Sequence, residues 1–177
     1  LRKSYFLLML DRHQEAAAEL RVGIDEGNPT DNLVYQAAQL MGVAGASQEE
    51  NQAMMDDALI KHPQLHRIRG DLAMRVARKD GLKAGERYWS NPDAPSDEAG
   101  YLLEQMRYYA IAGNVDKMLE IYEPAVEAAR EDRNTAGWFV DIAALIGRFQ
   151  YLDEMKKLLE EAIVDRSAAP SNMLTAA

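Results

Sequence analysis

The chain has 177 residues, no cysteine and a net charge of −9, with 47% apolar, 7% aromatic and 28% charged residues. That length and apolar share allow a continuous core, and 11 Gly with 6 Pro are too few for a low-complexity chain. The lack of cysteine excludes disulfides, thiolate-held zinc and a thiol nucleophile, and the acidic balance argues against a nucleic-acid partner, because neutralising phosphates needs a basic surface.

The chain opens at Leu1 in what reads as the middle of a helix, so a piece of a longer protein is expected. The apolar run at 5–10 is only six residues and ends in Asp11, Arg12 and His13. It is too short to span a bilayer and carries no cleavage pattern, so direct membrane insertion is not expected. Cytoplasm and periplasm both suit the chain. Ala, Leu, Glu, Arg and Met are plentiful and β-branched residues never alternate, which predicts helices and no strands. Ten are expected, over 1–11, 12–27, 31–45, 48–62, 64–79, 82–91, 97–112, 114–131, 134–147 and 151–165. Thr30, Ser47, Ser96, Asn114 and Asn134 stand as N-caps ahead of periodic runs. Ser47-Gln48-Glu49-Glu50 has the form of a capping box. Residues 167–177, rich in Ser and Ala, are expected to form a flexible tail.

The helices recur in pairs. Pro29 and Pro63 lie 34 residues apart, each closing a helical stretch, and a third break follows at Asn91, Pro92 and Pro95. The trio Met118, Tyr122, Ala125 returns 37 residues later as Met155, Leu159, Ala162. Ala16-Leu20-Gly23 and Asn51-Met55-Ala58 have the same i, i+4, i+7 spacing, which puts each trio on one helical face. A face of this kind is covered only when the next pair stacks on it. The pattern resembles the tetratricopeptide repeat, a 34-residue helix–turn–helix unit. The best-matching block reads Leu102, Gln105, Met106, Tyr109, Gly113, Met118, Tyr122, Ala125. The resemblance implies an all-α, right-handed superhelical solenoid. It would be one domain over 1–166, with blocks 1–29, 30–63, 64–96, 97–133 and 134–166.

Sequence motifs for chemistry are poor. His62 and His66 have metal-ligand spacing, but Pro63 intervenes and no Glu completes a zinc site. The Gly-rich turn at 42–47 lacks the Lys-Ser/Thr of a phosphate loop. The segment from Asp132 begins like a calcium loop, yet Ala143 stands where the bidentate Glu belongs. The carboxylate pairs Glu49-Glu50, Asp56-Asp57 and Glu160-Glu161 read as solvated faces. No enzymatic activity, metal or cofactor is expected.

Two surfaces are expected to bind. Residues 61–87 hold eight basic side chains against three acidic ones. Of these, Arg67, Arg75, Arg78, Lys79, Lys83 and Arg87 form a candidate basic patch for an acidic segment. The family's first helices line a concave groove. The resemblance therefore implies Tyr5, Leu8, Val34, Ala38, Met41, Leu103, Arg107, Ala110, Phe139, Ala143 and Ile146 as a groove wall for an apolar or amphipathic partner helix. The expected role is a protein or peptide scaffold, with a likeness to repeat domains of bacterial secretion and exopolysaccharide-export machines. Two alternatives are a sensor module enclosing a peptide or small ligand, and a structural spacer. The spacer would self-associate weakly, since 91–177 carries 16 acidic and 8 basic residues against 13 and 12 in 1–90.

Overall fold

The computed structural model describes residues 2–92 and 94–168. The described residues are helical, with no strand, and the chain divides into two compact units, Leu1–Pro95 and Ser96–Ala177. The first unit runs α1 (Arg2–Met9), α2 (His13–Glu26), α3 (Asp31–Val43), α4 (Gln48–Lys61), α5 (His66–Asp80) and α6 (Leu82–Gly85), and closes with a 3-10 turn, Glu86–Trp89. The second contains α7 (Ala99–Ile111), α8 (Val115–Glu131), α9 (Thr135–Gly147) and α10 (Leu152–Ala168). The division falls at the boundary expected between the third and fourth blocks. Helix α10 reaches Ala168, two residues into the expected tail; the rest of that tail lies outside the described residues.

Local chemistry sets the helix ends. The Ser47 hydroxyl accepts from the Glu50 N–H at 3.1 Å while the Ser47 N–H donates to the Glu50 carboxylate at 2.7 Å, so the capping box closes both ways. The Ser47 N–H, and after it the Ser47 hydroxyl, hold the Glu50 carboxyl below its usual range. Thr30 and Asn114 accept from the N–H groups of Leu33 and Lys117. Two expected caps differ. Glu98, not Ser96, precedes α7, and Asn134 makes no side-chain cap. There the Asp132 carboxylate accepts from the Asn134 N–H at 2.7 Å, tightening the turn instead.

The backbone repeats more regularly than the side chains do. Among the described residues, left-handed φ occurs only at Asp11, Gly45, Gly81, Gly113 and Gln150. One such residue stands in each turn from the first to the second helix of a pair: α1–α2, α3–α4, α5–α6, α7–α8 and α9–α10. Gly is the usual occupant of this conformation, because a Cβ is crowded there. Asp11 and Gln150 adopt it regardless.

Packing follows the same period. In the first unit α2 packs on α3 and α4, and α3 on α4 and α5. Polar links bridge residues about one repeat apart. The Lys61 ammonium reaches Asp25 at 2.7 Å, the His62 ring donates to the Ile24 carbonyl at 2.7 Å, and Gln64 donates to Asn28 at 2.9 Å. The Ile68 N–H donates to Asp31 at 3.0 Å, and the Tyr35 hydroxyl donates to the Arg67 carbonyl at 3.2 Å. The Pro63 turn is thereby tied to the Pro29 turn one repeat before it. In the second unit α7 packs on α8 and α9, and α9 on α10, with Arg130 bonded to Glu161 at 3.1 Å. The cores are mostly Leu, Ile, Met and Ala. Ala16, Ala58, Ala125 and Ala162 are buried, and their small side chains let neighbouring helices approach closely. Ala16 and Leu20 of the expected trio are buried, whereas Gly23 is exposed and Ile24 is buried in its place.

Among the described residues, one core residue is charged. Arg69 is 1% exposed and donates from Nη1 to the Tyr88 carbonyl at 2.8 Å and from Nη2 to the Pro63 carbonyl at 2.9 Å. It fastens the 3-10 turn and the start of α5 to one point, in the block with the weakest repeat pattern and the shortest second helix.

Candidate partner-binding surfaces

One hollow lies in the first unit. It is a groove of about 790 Å³ with Ser4, Tyr5, Phe6 and Leu8 of α1 on one side, Leu20 of α2 at its base, and Gln36, Gln39 and Leu40 of α3 opposite. Its wall is apolar, with the serine and the two amides as the polar points. Helix α1 packs chiefly on α2, and the groove opens where α1 faces α3. Tyr5 and Phe6 are 62% and 66% exposed, with Met9 and Leu10 beyond them also mostly exposed. Exposed apolar side chains gathered in this way are the kind of surface that a contact covers.

The groove wall expected from the sequence is not continuous. Tyr5 and Leu8 line the large groove. Met41 lines a separate hollow of about 420 Å³ beside Gln14, Arg21 and Glu50. Arg107 and Ala110 line a third, of about 330 Å³, in the second unit with Ile111, Asp141, Leu145 and Arg148. Val34, Ala38, Leu103, Phe139, Ala143 and Ile146 are buried in the helix-packing core and offer no open wall. The correction has a physical cause: α9 is apolar on nearly every face between Trp138 and Ile146, so its periodicity does not select the stripe turned outward. Asp141 and Ala144 occupy that outward stripe. Arg107 is engaged by Glu104 and, at 3.6 Å, by Asp141. Phe6, Gln36, Gln39 and Leu40 were not expected at the groove. Their signal was the small pair Ala37-Ala38, whose burial turns the neighbouring residues of α3 to the open side.

The basic patch divides too. Arg67, Arg78, Lys79, Lys83 and Arg87 are exposed and Arg75 is partly so. Arg75 reaches Asp71 at 3.7 Å, and Arg87 donates to the Tyr88 hydroxyl at 3.3 Å while stacking over that ring. Arg67, Arg78, Lys79 and Lys83 have no ion-pair partner among the described residues.

Titratable groups singled out in the sequence have structural partners. Asp56 accepts from the Tyr88 hydroxyl at 2.8 Å, Asp57 lies 3.7 Å from Arg21, and His13 lies 2.6 Å from Asp11. Burial is the first cause raising the Tyr35 and Tyr88 hydroxyls above their ordinary range. Among the described residues no three His, Asp or Glu converge as a metal site, and no helix is long and apolar enough to cross a membrane. Comparison with protein-family models, curated proteins and solved structures gives no match.

Proposed function

We propose that the chain is a non-catalytic interaction module, built from five stacked helix pairs of the tetratricopeptide kind. It holds the apolar face of a partner helix in the groove between α1 and α3. The groove itself carries the reading: about 790 Å³ of mostly apolar wall, flanked by exposed Tyr5 and Phe6. A groove between two helices accepts a third by ridge-into-groove packing, with anchors at i, i+3 or i+4 and i+7. Ser4, Gln36 and Gln39 can pair polar side chains flanking that stripe. The period of the left-handed turns and the polar links one repeat apart support stacked pairs, and with them a solenoid.

The test is selection from a displayed library of helical peptides, followed by titration against the unaltered chain and against Phe6→Asp and Leu40→Asp. The expected result is enriched peptides with one apolar stripe, bound saturably and at least about tenfold more weakly by each variant, with helix content and melting unchanged. Peptides that bind both variants as tightly as the unaltered chain, or no saturable binder at all, would refute the groove.

A further inference from the structure

We infer that the basic face of α5 and α6 is a docking surface for a second copy of this chain, and that what it receives is the outer ridge of that copy's α8.

The face is an unpartnered one. Arg67, Arg75 and Arg78 share one stripe of α5, with Lys79 beside it and Lys83 two residues beyond Gly81 at the start of α6. Asp71 is the acidic residue of that stripe, and it pairs with Arg75 at 3.7 Å. The stripe from Arg67 to Lys79 rises about 18 Å at the α-helical 1.5 Å per residue. Arg67, Arg78 and Lys79 of this stripe, and Lys83 of α6, meet no carboxylate among the described residues.

The chain carries the complement. Asp116, Glu120, Glu123, Glu127 and Glu131 follow one another on α8 at i, i+4, i+7, i+11 and i+15, and all five are exposed. That spacing confines them to one narrow stripe about 22 Å long. None has an ion-pair partner among the described residues. Five like charges stacked at helical spacing repel each other, so the ridge gains when cations neutralise it. The two stripes are of comparable length, about 18 and 22 Å, and of opposite sign.

Contact between different surfaces of identical chains is heterologous, so it continues into an open chain of copies unless the rotation closes a ring. The net charge of −9 opposes approach at long range. Near 0.15 M salt the screening length is about 8 Å, which leaves the facing stripes to interact and mutes the rest. Such a contact is weak, fast and salt-dependent.

Sedimentation equilibrium of the full chain over a concentration series tests the inference. The expected result is a mass that rises above monomer at 0.05 M NaCl, with association about tenfold weaker at 0.5 M. Two triple variants probe the surfaces, Glu120→Lys/Glu123→Lys/Glu127→Lys and Arg78→Glu/Lys79→Glu/Lys83→Glu. Each alone should remain monomeric, with helix content unchanged. Mixed, they should associate again, because the lysine ridge of one meets the glutamate face of the other. Each triple reversal shifts the net charge by six, giving −3 and −15 from −9, so general attraction between unlike proteins does not explain a recovered complex. A monomer at every salt concentration, association that strengthens with salt, or failure of the mixture to associate would each overturn the inference. None of these outcomes depends on the groove between α1 and α3.

Discussion

Arg67 and Arg69 lie two residues apart in the same basic stretch, and replacing them should have opposite consequences. Arg69 is buried, and its guanidinium donates to the carbonyls of Tyr88 and Pro63 at 2.8 and 2.9 Å. Arg69→Met keeps much of the volume and removes both donors. Leaving a buried carbonyl without its donor costs about 1–3 kcal/mol, so two cost roughly 2–6. Relief from burying a cation offsets part of that. A net loss of about 2 kcal/mol follows. At about 4–8 °C per kcal/mol for a unit of this size, the midpoint of the first unit should fall by roughly 10 °C. Arg67 is exposed, and the Tyr35 hydroxyl bonds to its backbone carbonyl rather than its side chain. Arg67→Met should therefore stay within about 0.5 kcal/mol. Urea unfolding followed by helix circular dichroism and by Trp89, buried beside the staple, reads both. Equal midpoints for the two variants would refute the account of Arg69 as a structural staple.

Two further outcomes follow from local geometry. Ser47→Ala should cost about 1 kcal/mol in thermal melts by opening the capping box. Glu50 adds a pH signature. Its carboxyl is lowered in the folded chain, chiefly by the Ser47 N–H, so its contribution is present above the unfolded glutamate value and is lost as pH falls through the lower folded value. Glu50→Gln should flatten that part of the acid stability profile, and an unchanged profile would contradict the assignment. Gln150 holds φ at 68°, where a Cβ is crowded. Gln150→Gly should stabilise the second unit by about 0.5–1 kcal/mol after the extra chain entropy of glycine is subtracted, and so raise its melting temperature. A fall in melting temperature would mean that the turn is held by something other than backbone conformation.

The helices were legible because their signals are local. All ten predicted segments contain a helix within a few residues of the expected ends, and the Ser47 box, the Thr30 and Asn114 caps and the Gly113 turn each act over four or five residues of chain. The repeat was legible through Pro29 and Pro63, whose turns are joined by Lys61 to Asp25 and Gln64 to Asn28. Its most regular marker, the left-handed residue in every pair, was hidden, because Asp11 and Gln150 stand where glycine would have announced it.

The candidate surfaces were less legible. Tyr5 and Leu8 reach the groove as expected from their helix, whereas Val34, Leu103, Phe139 and Ile146 are consumed by packing. An apolar residue on a helix is equally suited to a core and to a docking wall; only which neighbour arrives first distinguishes them.

The sequence by itself determined which segments are helical, where they turn, and that they come in pairs about 34 residues apart, because capping, backbone preference and periodicity are written within a few residues of each other. Only the tertiary structure decided that Arg69 is a buried staple while Arg78 and Lys79 stay in solvent, and that Leu40 faces a groove while Val34 does not. Burial is a property of where one helix lands on another. A rotation of a single residue step, about 100° on the helix, exchanges core for surface without altering the local chemistry that made the helix form.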